Sequence, residues 1–319
     1  MSVPALKSAA QGASAVSARR RRLTLSMERR EWLAGYLFVA PDALGLLTFV
    51  AAPAFLALAL GTFQVDGFGG YQFVGLGNYR RMLADPLFLQ SLRVTAIYVV
   101  ALVPCLYVVG LALALAVQRP SLASSVFRSL FFMPQMVSLV VVALVWQVLL
   151  VDKIGLLTRA AAFLGLGHIS WFGDPTFSLA VIVFISVWFL MGFYMLIFLG
   201  GLQDIPREFY DAAKIDGAGP IACFFHITLP LLQPTSFFIL LVSTVTAVCG
   251  SQTFDLIYVT TKGGPANSTS LTTFYIYQTA FEFGDYGYAA AMASVLIVIL
   301  MALTFVLFLI TRGGRFHYA

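Results

Sequence analysis

Six long apolar stretches alternate with short polar ones along this chain: Leu33 to Leu60, Leu92 to Val117, Val126 to Leu150, Phe177 to Gly201, Thr235 to Tyr258 and Tyr288 to Ile310. Each is 23 residues or longer. At a rise of about 1.5 Å per residue, a helix of that length crosses the roughly 30 Å hydrocarbon core of a bilayer with room for tilt. The stretches are too long to be the apolar part of a signal peptide. A weaker segment, Ile154 to Ile169, is too short to cross and carries Arg159, so it reads as a helix lying on the membrane surface. Between the first two stretches, Gly61 to Ser91 is Gly-rich and aromatic, with FVGLGNYRRML at its centre. The pattern predicts an all-α integral membrane protein with six transmembrane helices.

Composition supports that reading. Of 319 residues, 60% are hydrophobic and 10% charged, and the mean hydropathy is +0.92. Soluble domains run at about 45–50% apolar and about 25% charged, so a water-soluble globule is excluded. The net charge of +5 could point to nucleic acid in a soluble protein. In a membrane protein it points instead to basic residues on the cytoplasmic side. Thirteen of the nineteen Lys and Arg fall in the two tails and in the segments after the second and fourth stretches. That asymmetry places both termini in the cytoplasm. Arg20-Arg21-Arg22-Leu23-Thr24-Leu25 has some look of a twin-arginine signal, but Glu28 to Glu31 separate it from an apolar run that is itself too long; it reads as an orientation anchor. Residues 1–31, rich in Ala, Ser and Arg, have little to bury and read as a disordered cytoplasmic tail. Residues 32–312 form the membrane domain and 313–319 a second cytoplasmic tail.

Several kinds of chemistry are missing. Cys105, Cys223 and Cys249 have no metal or redox spacing, and His168, His226 and His317 are scattered. There is no Gly-rich phosphate loop with Lys and Ser or Thr, no His-Glu-x-x-His and no Gly-x-Ser-x-Gly. The chain therefore reads as a pathway that some other subunit must energise. An ion-coupled carrier would place titratable groups well inside its helices. Only Asp42 and Asp255 come close, each near a helix end. Asn267-Ser268-Thr269 matches a glycosylation acceptor formally and is read as chance.

The segment Leu202 to Gln233 is far too long to be a connector. Pro206 suits a helix start that Asp204 can cap, Arg207 and Asp211 can pair four apart, and Gly217 suits a helix stop. Phe209, Ala212, Ala213 and Asp216 then recur at helical spacing. They offer one aromatic anchor and two small residues, the shape of a short helix docking into a groove on another protein. Periodicity leaves a second option equally open, a helix lying on the membrane with Phe209 and Tyr210 in lipid.

The words of this segment, PREFYDAAKIDGAGPIACFFHITLPLLQP, resemble the EAA loop of the carbohydrate-type permeases of binding-protein-dependent ABC importers. The resemblance rests on Glu208, Ala212-Ala213, Asp216-Gly217-Ala218, Ile227, Leu229-Pro230 and Pro234 in the family's order. Asp211 stands where Glu is usual. Upstream, YLFVAPDALGLLTFVAAPAF and FVGLGNYRRML with Asp85-Pro86 resemble the family's first helix and first external loop. Downstream, FDLIYVTTKGGPANSTSLTTFYIYQTAF resembles its last external loop. Departures are Thr158, where Asn is usual, and the long Arg-rich tail.

The resemblance implies a six-helix permease of the bacterial inner membrane, half of a pathway for a sugar, oligosaccharide, polyol or sugar or glycerol phosphate. It implies Glu208, Phe209, Asp211, Ala212, Ala213, Asp216, Gly217 and Ala218 as the coupling helix, supported by Ile227, Leu229, Pro230 and Pro234. It implies as partners a second, homologous permease, two copies of a cytoplasmic P-loop ATPase that hold ATP and Mg, and an external solute-binding protein. This chain itself would hold no cofactor and touch lipid but no nucleic acid. Sugars are held by hydrogen bonds and aromatic stacking, so Trp146, Gln147, Trp188, Tyr194, Gln252 and Asp255 are pathway candidates. Asp255 lies in a pattern shared across substrates, which favours a gate role over specificity. The alternatives are an ion-coupled secondary carrier and a scaffold subunit without a pathway.

Overall fold

The computed structural model describes residues 29, 31–32, 34–65, 70–165 and 169–310. The basic tail through residue 28, residues 311–319, His168 and His317 lie outside them. The chain divides into two units at Ala59. In the first, α1 (Ala34–Leu60) is apolar, and none of its described side chains is buried. Its middle widens to a π-turn over Leu47–Ala51, closed by Ala52 N–H on the Leu47 carbonyl. Pro53 follows directly; it has no N–H for the regular bond to Phe49 and its ring crowds that carbonyl, which accounts for the widened turn. Asp42 is exposed on α1.

The second unit begins with a small antiparallel hairpin, β1 (Phe63–Val65) and β2 (Tyr71–Phe73), in register Phe63 to Phe73. It leads into α2 (Gly77–Ala84) and then α3 (Pro86–Val117). The third apolar stretch forms α4 (Leu122–Phe132) and α5 (Leu139–Leu149), and a short helix α6 (Leu156–Phe163) follows. Then come α7 (Pro175–Gln203), α8 (Arg207–Ile215), α9 (Pro220–Leu231) and α10 (Gln233–Cys249). The chain closes with α11 (Ser251–Thr260), α12 (Thr272–Tyr277) and α13 (Tyr286–Ile310).

Four helices, α1, α3, α7 and α13, are long and apolar enough to cross a membrane singly, and two bent pairs bring the number to six. The six crossings expected from the sequence are met, the third and the fifth each as a bent pair. In the third, a 3-10 turn at Met133–Met136 and extended backbone at Val137 turn α5 by 95° from α4. Pro134 removes the hydrogen bond that would have carried the helix through. The fifth is bent by 65° between α9 and α10 at Leu232, flanked by Pro230 and Pro234, and is broken again at Gly250, whose ψ of 128° is extended. Apolar composition records none of these bends. Among its described residues the weak segment is helical over α6, and Leu202 to Gln233 holds the end of α7 and all of α8 and α9.

The core is built on α3 and α7, which run parallel. Tyr98 donates to Ser186 at 2.9 Å, and the rings of Tyr107 and Phe198 meet edge to face at 5.1 Å. Leu102, Leu106, Ile182, Ile185, Met195 and Phe198 are fully buried between them and their neighbours. Lipid tails are as apolar as Leu, so helices in a bilayer associate through close packing and hydrogen bonds more than through apolar burial. Both are present. Gly192 of α7 lets α4 press against its backbone; a Cβ there would overlap the Phe131 carbonyl oxygen. Tyr98 also lies 3.3 Å from Thr253 of α11, and Tyr107 lies 2.9 Å from Ser236 of α10. Such bonds contribute about 0.6 kcal/mol each on average. The parallel course of α3 and α7 puts α2 at one end of the bundle and α8 at the other.

Candidate coupling and pathway sites

At the far end of α7 the chain turns through Asp204, Ile205 and Pro206 into α8. The start and stop of α8 fall where the sequence suggests, between Pro206 and Gly217. Two local details are corrected. Asp204 does not cap α8; its backbone N–H bonds to the Gly200 carbonyl as the last turn of α7, and Pro206 occupies the cap position of α8 without a side-chain bond. Asp211 pairs with Lys214 at 2.9 Å and not with Arg207. The i,i+3 partner on the C-terminal side is a neighbour on the helix surface as much as the i,i−4 one, and spacing alone does not choose.

The helix ends in a Schellman turn. Ala218 N–H bonds to the Ala213 carbonyl at 2.8 Å and Gly217 N–H to the Lys214 carbonyl at 3.1 Å. Gly217 has φ +77°, a conformation that costs other residues about 1–2 kcal/mol. Among α8 residues none is buried. Glu208, Asp211 and Ala212 are exposed, as are Asp216 and Gly217 beyond the helix, while Ala213 and Ala218 are half-buried. Ile215 is 87% exposed, the most exposed large apolar side chain of the helix, and sequence reasoning passed over it.

The two aromatic residues divide their tasks. Tyr210 turns inward, its hydroxyl 3.0 Å from that of Thr228 on α9. Phe209 stays 44% exposed and borders a cavity of about 470 Å³ with Gly201, Ile205, Pro234 and Thr235, at the junction of α7 and α10. Ile227 and Leu229 are half-buried on α9, and Pro230 and Pro234 bracket the buried Leu232. Thr228 carbonyl to Leu232 N–H, 3.0 Å, and Leu232 carbonyl to Ser236 N–H, 2.8 Å, keep the bend hydrogen-bonded. A displacement of α8 therefore reaches α10 through a stiff joint.

The opposite end is cross-braced. Asn78 donates to the Gly61 and Phe63 carbonyls at 3.0 and 2.8 Å, fixing α2 on the hairpin. Asp85 caps α3 through Leu87 N–H and accepts from Tyr275 of α12 at 2.8 Å and Tyr288 of α13 at 2.7 Å. Burial pushes the Asp85 carboxyl up, but the Tyr288 and Tyr275 hydroxyls and the Leu87 and Phe88 backbone N–H groups offset this and hold it below the usual carboxylate range. Burial and the same carboxylate push the Tyr275 phenol up to about 12. Arg81 pairs with Asp285 at 2.6 Å and lies 4.2 Å above the Tyr288 ring. The Asn267-Ser268-Thr269 stretch is part of this end: Thr269 is fully buried and bonded to Thr261 and Gly264.

Among the pathway candidates, Trp146 and Trp188 come together, rings 5.6 Å apart and edge to face. Gln147 is half-buried on α5. Tyr194 is buried at the α3–α7 contact. Gln252 and Asp255 lie in the first turns of α11, just past the Gly250 break, half-buried and without hydrogen-bond partners among the described residues. The sequence reading missed Gln135, in the Met133–Met136 turn, whose buried amide oxygen has no partner among the described residues. Among the described residues no cluster of His, Cys, Asp and Glu suits a metal ion.

Residues 106–313 match the family of binding-protein-dependent transport system inner membrane components. The chain belongs to that family. It is 36% identical over 91% of its length to the probable ABC transporter permease protein YesP of Bacillus subtilis, covering 94% of that protein. It is 34% identical over 88% of its length to the sn-glycerol-3-phosphate transport system permease protein UgpA of Pectobacterium atrosepticum, again covering 94%. The fold matches, at 19% identity and a TM-score of 0.77 over 89% of this chain and 95% of the other, a chain of a bacterial alginate ABC transporter in complex with alginate pentasaccharide-bound periplasmic protein. The chain is thus the permease, a transport subunit and not an enzyme, of a multi-pass inner membrane system, and membership of the family displaces the secondary-carrier and scaffold alternatives.

Proposed function

We propose that this permease lines one half of a carbohydrate pathway, that an external binding protein delivers a sugar, polyol or sugar or glycerol phosphate to its α2 end, and that its α8 end lies in the cytoplasm. A second, homologous permease completes the pathway. Two copies of a P-loop ATPase hold ATP and Mg, and one of them seats α8. The observation that carries the reading is α8 itself: a nine-residue helix with no buried residue, a firm glycine stop and a single inward tether, joined by a stiff bend to α10. A helix with one inward-turned aromatic and its remaining large apolar side chains, Phe209 and Ile215, exposed has room for a partner elsewhere.

Closure of the ATPases draws α8 toward its counterpart in the second permease. The Tyr210–Thr228 contact and the Leu232 bend pass that motion to α9 and α10, and the pathway alternates between its two faces. Substrate contacts then fall to Gln252 and Asp255 past the Gly250 break, with Trp146, Gln147 and Trp188 shaping the wall; Tyr194, buried between α3 and α7, does not face it. A photo-crosslinking amino acid at Ile215 or Ala212 tests the docking face. Capture of a P-loop ATPase at these positions, and not at exposed Val100 of α3, is the expected outcome. Equal capture at all three would remove the assignment of α8.

A further inference from the structure

A second cavity, of about 570 Å³, opens behind α8, with walls from the end of α3, from α8 and from α9. Its size falls in the range of about 300–1,000 Å³ seen for small-molecule pockets. Leu115, Pro220 and Phe224 give it apolar walls, while Gln118, Arg119 and Lys214 bring nitrogen donors to the same space. No carboxylate lines it. The hydroxyls on its walls are already engaged: Tyr210 meets Thr228 at 3.0 Å, and Thr228 donates to the Cys223 carbonyl at 3.4 Å. The nitrogens are open. The Gln118 and Arg119 side chains are exposed, with no hydrogen bond or ion pair among the described residues. Lys214 holds only Asp211, in a solvated surface pair that leaves two of its N–H groups for another acceptor.

We propose that this cavity binds a phosphate ester, its phosphate oxygens on Arg119, Lys214 and Gln118 and its organic part on Leu115, Pro220 and Phe224. The guanidinium fork matches two phosphate oxygens at once, and the ammonium adds a point charge on a flexible stem. A neutral sugar would leave both cations without a counter-charge. The position fits as well, because apolar α3 ends at Val117 and Gln118-Arg119-Pro120 follows, where the membrane-spanning stretch gives way to polar chain. Basic pockets at that level take phospholipid headgroups, and a soluble phosphate ester reaches the same level from the water. The two sources share the phosphate, and the test separates them. On α8 the wall residues are Tyr210, tethered inward, and Lys214; Ala212 and Ile215, the positions assigned to docking, are not among them. The site therefore stands independently of how α8 is driven.

Cys223 lines the cavity, half-buried, and serves as its reporter. The purified full chain in dodecyl maltoside is alkylated with N-ethylmaleimide at constant ionic strength, with increasing dihexanoyl phosphatidylglycerol or glucose 6-phosphate. Peptide mass spectrometry reads the rate at Cys223 relative to the rate without probe. Saturable protection is expected: from the lipid alone if the ligand is a headgroup, from the sugar phosphate alone if it is a soluble ester. Arg119→Gln and Lys214→Gln each move half-protection to about tenfold higher concentration or more. Asp211→Asn, which releases Lys214, moves it about twofold lower. Arg93→Gln, the same loss of charge near the other end of α3, leaves it in place. Absence of saturable protection by either probe would overturn the site, as would half-protection at one concentration in the parent and both cavity variants. Neither arm needs an ATPase, so failed capture at Ile215 with protection intact would remove α8 as the coupling element and leave the phosphate site standing.

Discussion

The two ends of the bundle are held together by opposite means. At the α2 end, Asp85 ties the start of α3 to α12 and α13, Asn78 ties α2 to the hairpin, and Arg81 reaches Asp285 and the Tyr288 ring. Residues some 200 positions apart are locked into one cap. At the α8 end, a short amphipathic helix has no fully buried residue and holds to its own chain chiefly through Tyr210, whose side chain packs on the core and whose hydroxyl meets that of Thr228, and through its turns. The proposed function accounts for the difference: an external surface that keeps its shape is braced internally, and a surface that docks a partner is left to that partner to complete.

The largest way to break this contrast is Gly217→Pro. Proline cannot adopt φ +77°, so the Schellman stop is lost and α8 ends differently. Membrane insertion stays normal, and substrate uptake falls to background. Asp211→Arg sharpens the same point. The Asp211–Lys214 pair is well exposed and worth only about 0.3–0.5 kcal/mol, so folding is untouched while the reversed charge weakens ATPase association and uptake. If both variants transport normally, α8 is not the coupling element.

At the braced end the expected effect is on stability. Asp85→Ala removes a helix cap and strands two phenols, and lowers stability by roughly 2–4 kcal/mol, read as a fall in unfolding temperature in detergent. Tyr210→Phe, its counterpart at the other end, costs only about 0.5–1.5 kcal/mol and lowers uptake partially. The pH response follows the same division. Asp85 has a depressed pKa when folded, so its contribution is present above the unfolded value of about 4 and fades as pH falls through the folded one. Tyr275 has a raised pKa, so its contribution is present below about 10 and fades as pH rises toward about 12. Limited proteolysis should therefore leave the cap intact between these limits and cut it beyond them; in Asp85→Ala the acid limb is lost.

Much of this was legible in the chain. Bilayer thickness forces long apolar runs, so six crossings could be counted, and Pro206 and Gly217 bound α8 by rules of local backbone chemistry. The breaks at Val137, Leu232 and Gly250 were hidden, because an apolar run reads alike whether straight or bent; Pro134, Pro230 and Pro234 were the available signals. Asp204 was misassigned because the last turn of α7 claimed it first. The Asp85 network was unreadable, since its partners lie 190 and 203 residues away. Gln135 could have been noticed as an amide inside an apolar stretch, beside a proline.

The account's central claim is that this chain is driven from outside itself, through α8. Gentle-detergent purification of the tagged chain from its native membrane, followed by mass spectrometry, tests it most directly. The account predicts recovery of a P-loop ATPase in two copies and a second permease, with the ATPase lost from Gly217→Pro. A parent chain that emerges alone, or only with copies of itself, and still supports uptake would contradict it.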